Sequence, residues 1–266
     1  CDEGWIARRG DGSVKVKFKQ EVLLISERWN LFQFNGIALK MDFQLVTEGK
    51  MSQPISPTNT VIGDHKLIFL EEGAKVEASI LNTNEGPIYI GKNAEIMEGS
   101  IVRGPLAMNE SSALKLGTKI YGPTTLGPHC KVGGEVNNCI FQGYSNKGHD
   151  GFLGNSLIGE WCNLGADTNS SNLKNNYGTV KTFSFETMKE EQTDLQFMGL
   201  TMGDHSKCGI NTMFNTATVV GVSSNIFGAD FPSKYIPSFQ WGLDGTTYSF
   251  ERALESANNE SDDLPF

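Results

Sequence analysis

The 266-residue chain is short of basic residues, of histidine and of long apolar runs. Lys and Arg together number 22 against 31 Asp and Glu, for a formal charge of −9, and no Lys/Arg cluster offsets that balance. Nucleic acid and anionic lipid are both bound through concentrated positive charge, so neither is expected as a main partner. No apolar stretch approaches the roughly 20 residues needed to cross a bilayer, and no signal-like segment is present. The five cysteines, Cys1, Cys130, Cys139, Cys162 and Cys208, are odd in number, lie far apart and contain no C-x-x-C. That spacing argues against a disulfide framework and against a metal site, and it fits a reducing cytoplasm. The chain opens on Cys1 rather than Met, which reads as a processed or truncated piece or as a lipid-modified mature cysteine.

What the chain has instead is a period of six. Ile90, Ile96, Val102, Met108, Leu114, Ile120, Leu126 and Val132 put an apolar residue at eight consecutive sixth positions, and Met202, Cys208, Phe214, Val220 and Ile226 follow in a second register. Glycine follows many of these residues or their neighbours, as in Ile90-Gly91, Leu126-Gly127, Val132-Gly133 and Met202-Gly203. A short strand of each hexapeptide points its apolar residue inward, and the small residue lets the backbone turn a corner without a Cβ clash. Three sides close a triangular turn, and successive turns stack as a parallel β-helix stabilised by nearest-neighbour contacts. The inward apolar residues are core, not site candidates.

The register shifts by two residues between Val132 and Ile158 and again between Leu164 and Met202. Extra residues are expected to leave the coil as loops in both intervals, and loops on a rigid scaffold are where function concentrates. The first interval holds "NKGHDGF" with His149, and the second begins "TNSSNLKNNYGTVK". The 170–200 excursion, with Tyr177, Phe183, Phe185 and Phe197, is too aromatic for a disordered linker and is expected to pack on a neighbouring surface. Three regions result: a lead-in over 1–58 that reads as strands with a short helix, the β-helix over 59–241, and a C-terminal helix with an acidic tail over 242–266. In that last helix Phe250 and Leu254 share one face.

Four stretches, "GPIYIGKNAEIMEGS", "SNKGHDGFLGNS", "GEWCNLGADTNSSNLKNN" and "MGDHSKCGINTMFNTATVVGV", resemble a sugar nucleotidyltransferase family. That family is related to the bifunctional N-acetylglucosamine-1-phosphate uridyltransferases, whose C-terminal half is a hexapeptide-repeat glucosamine-1-phosphate acetyltransferase. The resemblance covers about residues 60–240 and implies an all-β, left-handed parallel β-helix assembled as a homotrimer, with sites between subunits. It implies an acyltransferase of the hexapeptide-repeat type that uses acetyl-CoA as co-substrate and a sugar phosphate or nucleotide sugar as acceptor. His149 falls at the family's general base. Imidazole suits the task, since an amine or hydroxyl attacking a thioester must lose a proton near neutral pH. Glu135 matches a family glutamate beside that histidine. Asn163 and Asn172 match asparagines at the acceptor and coenzyme sites.

The family's pattern is broken at three positions. Phe152 stands where a tyrosine is expected, Asn137 where a basic residue is expected, and Leu173 where a second tyrosine is expected, so phosphate recognition shifts to charge elsewhere, from Arg103, Lys174 or Lys181. A second reading stays open: a non-catalytic β-helix that supplies trimerisation or sugar binding to an adjoining sugar-1-phosphate nucleotidyltransferase domain. No glycine-rich phosphate loop is present in this chain, and magnesium is expected only with such a domain. A third, a β-helix carbonic anhydrase with three histidines on zinc, is disfavoured by the wide spacing of His65, His129, His149 and His205.

Overall fold

The computed structural model describes residues 8–9, 14–15 and 23–262. Cys1, most of the "VKVKF" run and the last four residues of the acidic tail lie outside the described residues. Arg8–Arg9 and Val14–Lys15 form a two-residue antiparallel pair.

From Thr60 onward the chain winds as a three-sided parallel coil. The first face is a six-stranded sheet running from Thr60–Ile62 to Phe152–Gly154, extended by the pair Asn169–Ser170 and Met213–Phe214. The second has nine strands, from Ile68–Leu70 to Tyr235–Ile236, and the third has ten, beginning at Lys75–Val76. The repeat residues line the axis as expected: all eight from Ile90 to Val132 are at most 1% exposed, and the second set joins the same apolar core. This is the three-sided β-helix that the six-residue period predicts.

The first register break has the opposite physical form from the one expected. Paired positions are eighteen residues apart in the middle turns, as for Ile88 with Leu106 and Ala113 with Lys131. Val132 pairs with Lys147 only fifteen residues on, and Val136 with Leu153 seventeen on. The coil shortens here, so nothing loops out. Glycine permits the shortening: a Cβ on Gly133 would press on the Gly148 carbonyl, and one on Gly134, at φ 75°, on the Gly151 carbonyl. The second interval does leave the coil, through an antiparallel hairpin of Lys181–Ser184 with Lys189–Gln192.

Helix α1, Asn30–Thr47, is far longer than the short helix expected within 1–58, and it takes the run read as strands. Its signal is helical spacing. Phe32, Asn35, Gly36, Leu39 and Phe43 fall on one face, and that face lies along the second face of the coil: Asn35 accepts from the Thr125 hydroxyl at 2.9 Å, and Phe32 packs with Ile140 and Leu157. From the excursion, Val180 and Met198 join this cluster and the Phe183 ring stacks on Tyr235, while Tyr177, Phe185 and Phe197 stay exposed. Helix α2, Phe250–Asp262, places Phe250 and Leu254 on one face, which is exposed, and buries Ala253. The small residues Ala253, Ser256 and Ala257 let it approach the coil near His205 and Ser223. Among the described residues no helix is long and apolar enough to cross a membrane.

Candidate active site

His149 stands at the corner between the third face, where Asn146–Lys147 is a strand, and the first, which resumes at Phe152–Gly154. Its side chain is exposed. Glu135 leaves the same corner one turn earlier, and its backbone N–H donates to the Gly151 carbonyl at 3.2 Å, so glutamate and histidine share one backbone junction. The Glu135 carboxylate accepts the Tyr121 hydroxyl at 2.6 Å. Burial first, then this bond, raises the Tyr121 pKa above its ordinary value. Among the described residues no hydrogen bond links Glu135 to His149. Phe152 is the lateral neighbour of Glu135 on the first face, and its N–H donates to the Asn169 side chain at 2.8 Å.

The sequence did not point to Lys147. Its side chain is 1% exposed, in a rung whose neighbour is Val132. The ammonium donates to the carbonyls of Gly133 at 3.1 Å, His149 at 2.9 Å and Asp150 at 3.4 Å. Burial lowers its pKa to about 8, partly opposed by Asp150 and by other acidic groups nearby. The missed signal was the charge inside "NKGHDGF": a loop reading left Lys147 outside the coil, whereas a shortened turn puts it on the axis.

A groove of about 370 Å³ opens on the third face; Asn146, which begins the strand leading to the His149 corner, lines it, and His149 does not. Lys131, Asn146, Asn163 and Lys207 occupy successive rungs of its floor. Asn163 is exposed and accepts from the Asn146 amide at 3.0 Å. His129, Tyr144 and Trp161 edge the groove and His205 continues their line, the four coming from successive turns of one corner, each with φ between 52° and 59°. Their rings stack with centroid separations of 5.1, 4.5 and 6.2 Å. No sequence argument singled out this column, because its members sit at unequal intervals.

The other expected site residues lie elsewhere. Asn172 is at the junction of first and second faces, where its amide donates to Asn155 at 2.7 Å and its carbonyl holds Met198. Lys181 is exposed on the hairpin. Arg103 pairs with Glu85 at 3.4 Å, and Lys174 donates to the Thr179 carbonyl. The structure brings His149 and Glu135 to one corner and Asn163 to the neighbouring groove. Asn172, Lys181 and Arg103 are not gathered with them.

Among the described residues no three His, Cys, Asp or Glu side chains gather as a metal-binding group. Cys130, Cys139 and Cys162 are buried thiols pushed up to about 12, chiefly by desolvation, so they are not nucleophiles at neutral pH.

No family model matches the chain. Among curated proteins it is 24% identical over 152 residues to the bifunctional protein GlmU of Trichodesmium erythraeum, an alignment spanning 56% of this chain and 27% of that one. It is 20% identical over 246 residues to the same-named protein of Cyanothece sp., spanning 85% and 48%. An uncharacterized acetyltransferase, YaiX of Escherichia coli, is 20% identical over 62% of this chain and 71% of its own. The chain is thus weakly similar to the two GlmU proteins and to one acetyltransferase. It spans at most about half the length of the two GlmU proteins it matches. The solved structure of NeuO, a polysialic-acid-specific acetyltransferase, aligns over 77% of this chain and 99% of its own at 10% identity and a TM-score of 0.42.

Proposed function

We propose that this protein transfers an acyl group, acetyl in the simplest case, from coenzyme A to an amine or hydroxyl of a sugar phosphate or nucleotide sugar. The observation that carries the reading is the exposed His149 on a backbone junction shared with Glu135, beside a groove floored by Asn163. The likeness to GlmU and to an acetyltransferase supports it.

In this mechanism the acceptor's lone pair attacks the thioester carbonyl carbon while its proton passes to the His149 imidazole. The tetrahedral intermediate then collapses, the carbon–sulfur bond breaks, and the imidazolium returns the proton to the leaving thiolate. Glu135, anchored by Tyr121, places negative charge near the imidazolium as it forms. Asn163 and Asn146 offer uncharged donors to sugar hydroxyls or pantetheine amides, and Lys131 and Lys207 bring positive charge to the same floor for a phosphate. Asn172, Lys181 and Arg103 remain proposed contacts for the coenzyme or for phosphate from a neighbouring copy.

The assembly proposed is a homotrimer of left-handed coils in the cytoplasm, with each site completed by a second subunit. The exposed Tyr177, Phe185 and Phe197 on the excursion give it apolar surface to bury. A second reading has its own support. Phe152, Asn137 and Leu173 lack the phosphate-binding groups of the family pattern, and Arg103 is engaged by Glu85. The coil would then be a non-catalytic trimerisation or sugar-binding module for an adjoining sugar-1-phosphate nucleotidyltransferase.

Incubation with acetyl-CoA and a panel of sugar phosphates and nucleotide sugars, read by free-thiol release, separates the two. Turnover on any sugar acceptor establishes the transferase, and silence across the panel favours the scaffold.

A further inference from the structure

The third face presents an inward column in which Val132, Leu164, Cys208 and Ile226 are buried apolar residues, and one rung breaks it. That rung is Lys147, the one charged side chain in the buried set among the described residues. A buried ammonium is more costly to place than a packed apolar side chain of similar volume, even when fully hydrogen-bonded. Stability alone therefore does not account for a lysine here.

What the lysine does is visible in its bonds. Its three donors go to three carbonyls of one corner, Gly133 from one turn and His149 and Asp150 from the next. The Asp150 carbonyl also accepts the Asp167 N–H at 3.1 Å, which carries the junction into a third turn. The corner's own residues specify little, since Gly148 and Gly151 flank His149 and Asp150 and Gly151 adopts φ 118°. Its shape is set by bonds from neighbouring turns, Glu135 to Gly151 and Asp167 to Asp150, together with those of Lys147. Glycine on both sides leaves the backbone many conformations, and these bonds select one of them.

We infer that Lys147 is a positioning residue for His149: its ammonium clamps, from inside the coil, the backbone that carries the imidazole. The catalytic consequence rests on the acyl-transfer reading above, whereas the clamp itself does not.

The test uses the full chain with Lys147→Met, which keeps the stem and removes the ammonium, and Lys147→Gln, which keeps two N–H donors. The four histidines are labelled with ¹³C in the imidazole, and His149→Ala assigns the His149 signal. That signal should shift or broaden in Lys147→Met and move less in Lys147→Gln, while the His65 signal stays in place. An unchanged His149 signal in both variants overturns the clamp. In the thiol-release assay Lys147→Met should lower kcat by about 10- to 100-fold, the scale of a misplaced catalytic group, with KM for acetyl-CoA unchanged. In a His149→Ala background it should lower turnover no further. An equal loss in both backgrounds, or a wild-type rate in Lys147→Met, overturns the catalytic consequence. If the unmodified chain releases no thiol with any acceptor, the acyl-transfer reading fails while the imidazole signal still decides the clamp. Should Lys147→Met not fold, Lys147→Gln carries both readouts.

Discussion

The rings of Tyr144 and Trp161, from successive turns of one corner, lie face to face at 4.5 Å with planes within 4° of parallel. Both residues hold positive φ, 52° and 59°, a conformation that side chains other than Gly, Asn and Asp seldom adopt. Each turn needs that geometry to round the corner, and stacking recovers free energy from rings the corner forces to stand in line. Trp161→Ala should lower stability by about 1–2 kcal/mol, from a lost aromatic pair plus half-buried area. Urea denaturation checks it, and an unaltered midpoint would show that the column adds nothing.

His149→Ala should reduce acyl transfer by about 10²- to 10⁴-fold, the usual loss with a general base. The imidazole is exposed, so melting temperature and assembly should stay close to wild type. Glu135→Gln should give a smaller loss in the same direction, since it keeps the Tyr121 bond and removes only charge. A wild-type rate in His149→Ala would remove it as the base and direct attention to His205, the ring beyond Trp161 in the stacked column.

Stability should carry a signature of Lys147 in alkaline solution. In the unfolded chain its proton is held up to about pH 10.4, and in the folded chain it is lost near 8. Between those values the unfolded state binds more protons, so this group's contribution rises with pH across that window and is lost as pH falls through 8. Cys130, Cys139 and Cys162, raised to about 12, act in the opposite sense above their ordinary range. The difference between wild type and Lys147→Met isolates the lysine. Unfolding free energies at pH 7.5 and 10 should shift that difference in favour of wild type, and a constant difference would mean that the buried lysine does not titrate there.

Sedimentation at micromolar concentration should give a mass of three 29.1 kDa chains. A single-chain mass would exclude sites shared between copies, and Phe185→Asp on the exposed side of the excursion should move the equilibrium toward monomer.

The coil was legible because its core repeats a local instruction. Every sixth residue from Ile90 to Val132 faces the axis, and burial of that column decides the architecture whatever the outer residues are. The shortened turn was not legible, because a period search reads a gain of two residues and a loss of four as the same shift. That ambiguity hid Lys147 and made the His149 corner look like a loop. Helix α1 was missed for another reason. Its inner face includes Asn35 and Gly36, which hydropathy does not count, yet Asn35 bonds Thr125 and Gly36 sits where a Cβ would meet the Pro123 ring. His149 and Glu135 became candidates through a family likeness alone, and the fold sets the Glu135 N–H on the Gly151 carbonyl at the His149 corner. The groove escaped because its walls come from turns of unequal length.

A stack of turns is joined only between neighbours, so it can part at any level. Helix α1 changes that. At 18 residues it extends about 27 Å, against about 4.8 Å per turn, and it reaches from Tyr89 near its C-terminal half to Leu157 at Phe32. It acts as a splint across the level where Lys147 interrupts the apolar column, coupling turns that would otherwise open independently. Neighbouring turns stay paired on both sides of Lys147, so the helix adds coupling between turns that do not touch, and deleting it should broaden the unfolding transition rather than abolish the fold.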